Sequence, residues 1–245
     1  MQIKTKIKLI ISIGFFLIFG LFGFTKASQT QIDFSDKNNF NLEDEYNLKV
    51  DSNGGSLKKD QYVLDKINNL GGLDSDSFNS LIETDNHYIA VGQTSSNLTS
   101  LGGNANTGNL DFVIAKFNKT DLGLVSINNL GGLNYEWLTY VIETEDYYIA
   151  AGRSYSDLTS LGGNINSGVE DFVIARFNKN DLSLDEINNF GGLGSDGFNS
   201  LIETDNHYIA AGGSDSDLTS LGGNSNSGSG DFVIATINKN DLSLD

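Results

Sequence analysis

The sequence contains no cysteine, so no disulfide can staple it and no lipid-modified cysteine can anchor it; its stability must come from core packing. Cationic side chains are scarce, 15 Lys and Arg against 32 Asp and Glu. The resulting net charge of −17 repels phosphate backbones and anionic lipid, which makes nucleic acid and membrane surfaces poor partners. Histidine occurs twice and tryptophan once. Beyond residue 27 no segment keeps a capped apolar period of 3.6 residues, so helix is not expected there. A nucleophile, a base and an orienter converging on one point are also lacking, so neither catalysis nor a cofactor or metal is expected.

What is present begins with a basic start, Lys4, Lys6 and Lys8, followed by the apolar run from Leu9 to Phe24 and the exit "TKASQT". This pattern describes a secretory signal peptide over residues 1–27, cleaved after Ala27. The run of 16 residues, broken by Gly14, Gly20 and Gly23, falls short of the roughly 20 that span a bilayer, which argues against an uncleaved anchor. The first 27 residues hold four of the lysines and no carboxylate, so the exported chain keeps 11 basic against 32 acidic residues, a net of −21. The expected location is secreted or at the cell surface. Residues 28–58 are polar and acidic and read as a flexible leader, with room for a short strand around Tyr46 to Val50.

From residue 59 the chain repeats itself. "LIETDNHYIA" stands at 81–90 and again at 201–210, with "VIETEDYYIA" midway at 141–150. The copies, 67–126, 127–186 and 187–245, follow one another at a period of 60 without insertion or deletion. Such a period marks one supersecondary unit used three times. In the first copy, residues 78–84 and 87–93 flank Asp85-Asn86, a pair that tolerates the left-handed backbone of a two-residue hairpin turn. "DFVIAKF" (111–117) reads as a strand covered on both faces, and "LVSINNLGG" as a fourth, more polar strand. Four antiparallel strands per copy describe a β-propeller blade, so the expected fold is all-β, three propeller-like blades in tandem.

The succession "INNLGG", "SFNSLIETDNHYIAVGQTSS", a Gly-rich loop and "DFVIAKFNKTDLG" resembles the β-propeller repeats of secreted and surface-attached bacterial proteins. That resemblance covers residues 59–245. It implies that the strand ending in Gly-Gly is the outermost of one blade and leads into the innermost strand of the next. It carries no chemistry, because one fold hosts many functions.

Several stretches invite a functional reading. "GGLGSDGFN" (191–199) fits a calcium-binding nonapeptide once and not in tandem, which favours chance. Asp74 with Asp76, and Asp215 with Asp217, read as turn formers. His87 and His207 share their place with Tyr147, as strand side chains do. Glu83, Glu143 and Glu203 recur at strand ends, where they satisfy backbone donors or line an acidic channel. The loop holding "LTSLGGN" is identical in all copies, so Leu98 and Leu101 are expected to tuck in while Gly102 and Gly103 turn the chain. Its variable positions Ala105, Ile165 and Ser225 are the ones free for outside contacts.

The second copy alone has "NYEWLTY", which introduces Tyr135, Glu136, Trp137 and Tyr140. Aromatic residues beside polar ones are the material of glycan and protein contacts, so these four are the candidate ligand-binding residues. The competing reading gives Trp137 the buried place of Phe78 and Phe198. Two functions follow: a non-catalytic binding or adhesion module for a glycan or protein, or a structural unit of a larger extracellular assembly. The segment 59–72 aligns with 179–192, an additional outer strand ahead of the first copy. It leads to the expectation that two chains join head to tail into a six-bladed ring by strand exchange at residues 59–70, a strand near Val63 to Leu70 completing the other chain's third blade, against the alternatives of a strained monomer that closes on itself or a part of a longer array.

Overall fold

The computed structural model describes residues 46–49, 58–61 and 65–245. The chain divides into two units, Met1–Val63 and Leu64–Asp245. The signal-peptide reading lies outside the described residues. In the first unit β1 (Tyr46–Lys49) pairs antiparallel with β2 (Lys58–Gln61), Tyr46 standing opposite Gln61 and Lys49 opposite Lys58. The stretch read as a flexible leader therefore contains a paired strand, whose partner sits at its boundary with the repeats.

The second unit is all-β, and its described residues include no α-helix. Its strands form three antiparallel sheets in sequence order: β3 (Asp76–Glu83), β4 (His87–Thr94), β5 (Asp111–Asn118) and β6 (Leu124–Leu130); then β7 (Glu136–Glu143), β8 (Tyr147–Ser154), β9 (Asp171–Asn178) and β10 (Leu184–Phe190); then β11 (Asp196–Glu203), β12 (His207–Ser214) and β13 (Asp231–Asn238). Each sheet is a meander, every strand beside its sequence neighbour. The third has three strands and the first trace of a fourth, an isolated bridge from Leu244 to Ile237. Residues 65–70, expected to be extended and paired, have no strand partner.

The tight hairpins fall where expected, yet they close differently. Thr84 N donates to His87 O at 2.9 Å, and His87 N donates to Thr84 Oγ1 at 3.1 Å. No left-handed residue occurs at Asp85 or Asn86, because the threonine hydroxyl takes the turn's free N–H. The positive φ angles of non-glycine residues belong instead to Leu122 (58°), Leu182 (62°) and Leu242 (53°), in the connection after each third strand. That conformation costs about 1–2 kcal/mol. Leu182 and Leu242 are fully buried, a gain of roughly 1.5–3 kcal/mol that outweighs the strain.

Apolar side chains on one face of each sheet pack against the first strand of the next. Ile89, Val91, Phe112 and Ile114 of the first sheet meet Leu138, Val141, Tyr148, Phe177 and Leu182 of the second. One period on, Ile149, Ala151, Phe172 and Ile174 meet Phe198, Leu201, Tyr208, Ile237 and Leu242. The two clusters are the same interface written twice. Backbone bonds also cross between sheets, Glu136 N donating to Leu110 O at 3.1 Å and Asp196 N to Glu170 O at 2.8 Å. In the first strands a bulge sets Asn79, Thr139 and Asn199 out of register. Two of these reach the next sheet: Asn79 Nδ2 donates to Leu138 O at 2.9 Å and Thr139 Oγ1 to Phe198 O at 2.6 Å.

The recurrent glutamates pair with lysines of their own repeats. Lys119 pairs with Glu83, Lys179 with Glu143 at 2.9 Å and Lys239 with Glu203 at 2.7 Å. The loop common to the three copies folds on itself: Leu98 is buried as expected, Leu101 is only half-buried against the same cluster, and Gly102 ends the short 3-10 turn in a left-handed conformation (φ +86°). Ile165, one of its variable positions, is exposed.

Candidate functional site

Three positions near one end of the sheets are small or acidic in two repeats and aromatic in the second. Ser75 and Ser195 correspond to Tyr135, Ser77 and Gly197 to Trp137, and Ser95 and Asp215 to Tyr155. The β7–β8 hairpin brings them together. Tyr155 N donates to Tyr135 O at 2.9 Å, which places residues 20 apart in sequence side by side. The Tyr135 and Trp137 rings are nearly parallel, centroids 6.0 Å apart at 12°, and Tyr155 stands edge-on to both, at 6.1 Å from Tyr135 and 5.5 Å from Trp137. With Asn134 they line an open cleft of about 440 Å³. Tyr135 is exposed and Trp137 half-buried.

Trp137 does not occupy the strand position of Phe78 and Phe198, of which only Phe198 is buried. That place belongs to Leu138, which pairs with Gly152 as Phe78 pairs with Gly92 and Phe198 with Gly212. Successive strand residues point to opposite faces, so putting Leu138 in the core turns Trp137 away from it. Opposite Trp137 in the register stands Arg153. Its guanidinium donates to Asn199 Oδ1 at 2.9 Å and approaches Glu170 Oε1 at 3.6 Å. Burial pushes the Glu170 carboxyl above its usual range, and the Arg153 charge pulls it back. Arg153 also covers Gly197, where a Cβ would come within 2.7 Å of Nε. The arginine of one repeat thus takes the space that a large side chain would need in the next.

The other two candidates lie elsewhere. Glu136 is completely buried, Oε2 accepting from Gly132 N at 3.0 Å and Oε1 from Ser154 Oγ at 3.4 Å. Burial raises its pKa to about 7 against the pull of hydrogen bonds from Ser156 and Gly132, and the neighbouring Asp111 adds to the rise. Asp196 fills the same position in the third repeat, accepting from Gly192 N at 2.7 Å and Ser216 Oγ at 2.8 Å, and Asp76 does so in the first. These carboxylates are acceptors that fasten the Gly-Gly turn. Tyr140 packs into the interface between the second and third sheets.

A second layer of buried carboxylates faces the first. Asp111 and Asp171 are fully buried, and burial pushes both upward while amide donors, Thr107 and Asn129 or Ser167 and Asn189, pull them down. Asp171 Oδ1 has no donor, and it lies with Asp196 Oδ2 at 2.6 Å from where a Cβ at Gly191 would stand. Only glycine fits between the two acids.

Sequence reasoning singled out Tyr135 and Trp137, whose rings the structure brings together, and did not single out Tyr155 and Arg153 beside them. The signal for Tyr155 was present in the hairpin register, which sets position 155 beside 135, and in the serine and aspartate that replace it in the other copies. No protein-family model matches the chain, and no curated protein does.

Proposed function

We propose that this chain is a non-catalytic recognition module built from propeller blades, working outside the cell and taking a glycan on the shelf formed by Tyr135, Trp137 and Tyr155. The observation that carries this reading is the clustering of three aromatic rings at a position where the other repeats have small or acidic residues. No packing requirement explains them, since both neighbouring sheets fold the same way without them. A sugar ring offers an apolar C–H face to an aromatic plane and hydroxyls to its surroundings; Asn134 lines the cleft with the rings, and Arg153 stands opposite Trp137 in the strand register. The cleft is the size of a small-ligand site, whereas a stable protein partner buries about 1,200–2,000 Å². The leader that reads as a signal peptide supports a location where glycans are displayed.

The test is a glycan array probed with the purified chain and with Trp137→Ala and Tyr155→Ala. Binding to a defined set of oligosaccharides, lost by at least tenfold in both variants while melting temperature is kept, is the expected result. No binding above background, or binding that both variants retain, overturns the reading. The structural-unit alternative draws on a different observation, the exposed faces at the two ends of the sheet series.

A further inference from the structure

The two internal interfaces define what a finished face looks like, and each terminal face departs from that pattern in the same way. On the third sheet, Phe232 and Ile234 are 103% and 77% exposed, whereas their counterparts Phe112, Phe172, Ile114 and Ile174 are exposed by no more than 1%. On the first sheet, Phe78 and Leu81 are 43% and 62% exposed, whereas Leu138, Phe198, Val141 and Leu201 are at most 1%. Ile67 is 76% exposed where Ile127 and Ile187 are 6% and 3%. One terminal face is the donor half of the repeating interface and the other is its acceptor half.

The segment before the first sheet is already seated as an outer strand without a sheet. Asn68 Nδ2 donates to Leu122 O at 2.7 Å, the bond that Asn128 of β6 makes to Leu182 O at 2.8 Å and Asn188 of β10 to Leu242 O at 3.1 Å. What it lacks is the third strand that β5 provides to β6. Among the described residues, strand β13 has only the start of a fourth strand beside it, the bridge from Leu244 to Ile237 and the bond from Asp245 N to Thr236 O at 3.0 Å.

A substitution across the two ends fits the same pairing. In the first two sheets a cation on the third strand reaches the carbonyls of the next sheet's turn, Lys116 Nζ to Lys179 O at 2.6 Å and Arg176 Nη1 to Lys239 O at 3.0 Å. The third sheet has Thr236 there, so it has no such cation. Lys66, however, donates to Thr120 O in the first sheet's turn, although the corresponding residues of β6 and β10 are Ser126 and Glu186. By the register in which Lys116 faces Ser126 and Arg176 faces Glu186, Lys66 of a second copy would stand directly opposite Thr236. The cation has moved from one strand of the pair to the other.

We infer that two copies of this chain join head to tail, residues 66–70 of each continuing the fourth strand that Leu244 and Asp245 begin on the third sheet of the other, and its Phe78 and Leu81 covering Phe232 and Ile234, so that six sheets close into a ring. The inference is independent of the glycan reading. Because the two faces differ, the contact is heterologous and closes only as a ring, and six sheets lie within the roughly 4–8 blades of closed propellers.

The test is light scattering of the full chain at micromolar concentration, together with Phe232→Asp/Ile234→Asp and Leu81→Asp. These side chains are exposed in the single chain, so the variants should keep its circular dichroism. The expected result is twice the single-chain mass for the parent and the single-chain mass for each variant alone. An equimolar mixture of the two variants should recover a two-chain species, since one of its two interfaces combines unaltered faces. A single-chain mass for the parent, open-ended growth, a dimer that neither variant weakens, or a mixture that stays single-chain would each overturn the ring.

Discussion

Asn128 donates its side-chain amide to the backbone carbonyl of Leu182, 54 residues further along the chain, at 2.8 Å. The adjacent Asn129 points the other way, completely buried, accepting from Asn104 N at 2.7 Å through Oδ1 and donating to Asp111 Oδ2 at 3.1 Å through Nδ2. Two neighbouring asparagines therefore do separate work, one tying sheet to sheet and one tying a loop to its own sheet.

Their removal should differ in size. Asn128→Ala deletes a half-buried bond and is expected to cost about 1 kcal/mol, while Asn129→Ala leaves the Asn104 N–H and the buried Asp111 carboxylate without their partner and is expected to cost about 2–4 kcal/mol. Urea denaturation of the two variants measures the difference. Equal costs would show that Asn129 is replaceable by solvent.

Acid should stabilise the fold over a definite window. The Glu136 carboxyl titrates at about 7 in the folded chain, against about 4.3 for an unperturbed glutamate, so between these values the folded state holds more protons and stability falls as pH rises. The loss begins near the lower value and is complete above pH 7, amounting to about 3–4 kcal/mol for this group at about 1.4 kcal/mol per unit. Asp111, Glu170 and Asp171, all pushed upward by burial, act with the same sign. Glu136→Gln should flatten this slope and be more stable than the parent at pH 8. Denaturation midpoints at pH 5 and pH 8 decide it; an unchanged slope in the variant would locate the effect elsewhere.

Gly152 should tolerate no side chain. A Cβ there would stand 1.9 Å from the carbonyl oxygen of Trp137, where the bulged first strand crosses closest to the second. Since both contacts are backbone, no rotamer change relieves them, and Gly152→Ala is expected to lose more than about 3 kcal/mol and the cooperative transition with it. Thermal melting followed by circular dichroism checks this. A variant that melts like the parent would mean the bulge can slide.

The repeat and its strands were legible because the period of 60 never slips and the apolar runs are long. "DFVIA" reads as a strand covered on both sides, and it is one in the first two sheets, whereas in β13 the same residues leave Phe232 and Ile234 exposed. The turn at Asp85-Asn86 was legible in place and not in form, since a threonine hydroxyl one residue earlier competes with the left-handed backbone that Asn permits. At the site, strand alternation alone could not say which of Trp137 and Leu138 faces the core, because the bulge at Thr139 resets the phase within the same strand. Glu136 looked like a surface acid because nothing local announces the hydroxyls of Ser154 and Ser156, which only the hairpin register brings to it.

The aromatic shelf occurs in one repeat of three, and Arg153 leaning over Gly197 keeps the next repeat from growing a second. A ring of two chains would therefore be bivalent, with its two sites fixed on opposite halves of a rigid body. Against a densely displayed ligand the second contact becomes intramolecular, and retention can exceed single-site affinity by about 10²–10⁴ without any added contact. Weak recognition by three aromatic rings would then suffice for durable attachment to a crowded surface, and free oligosaccharide in solution would compete poorly for it.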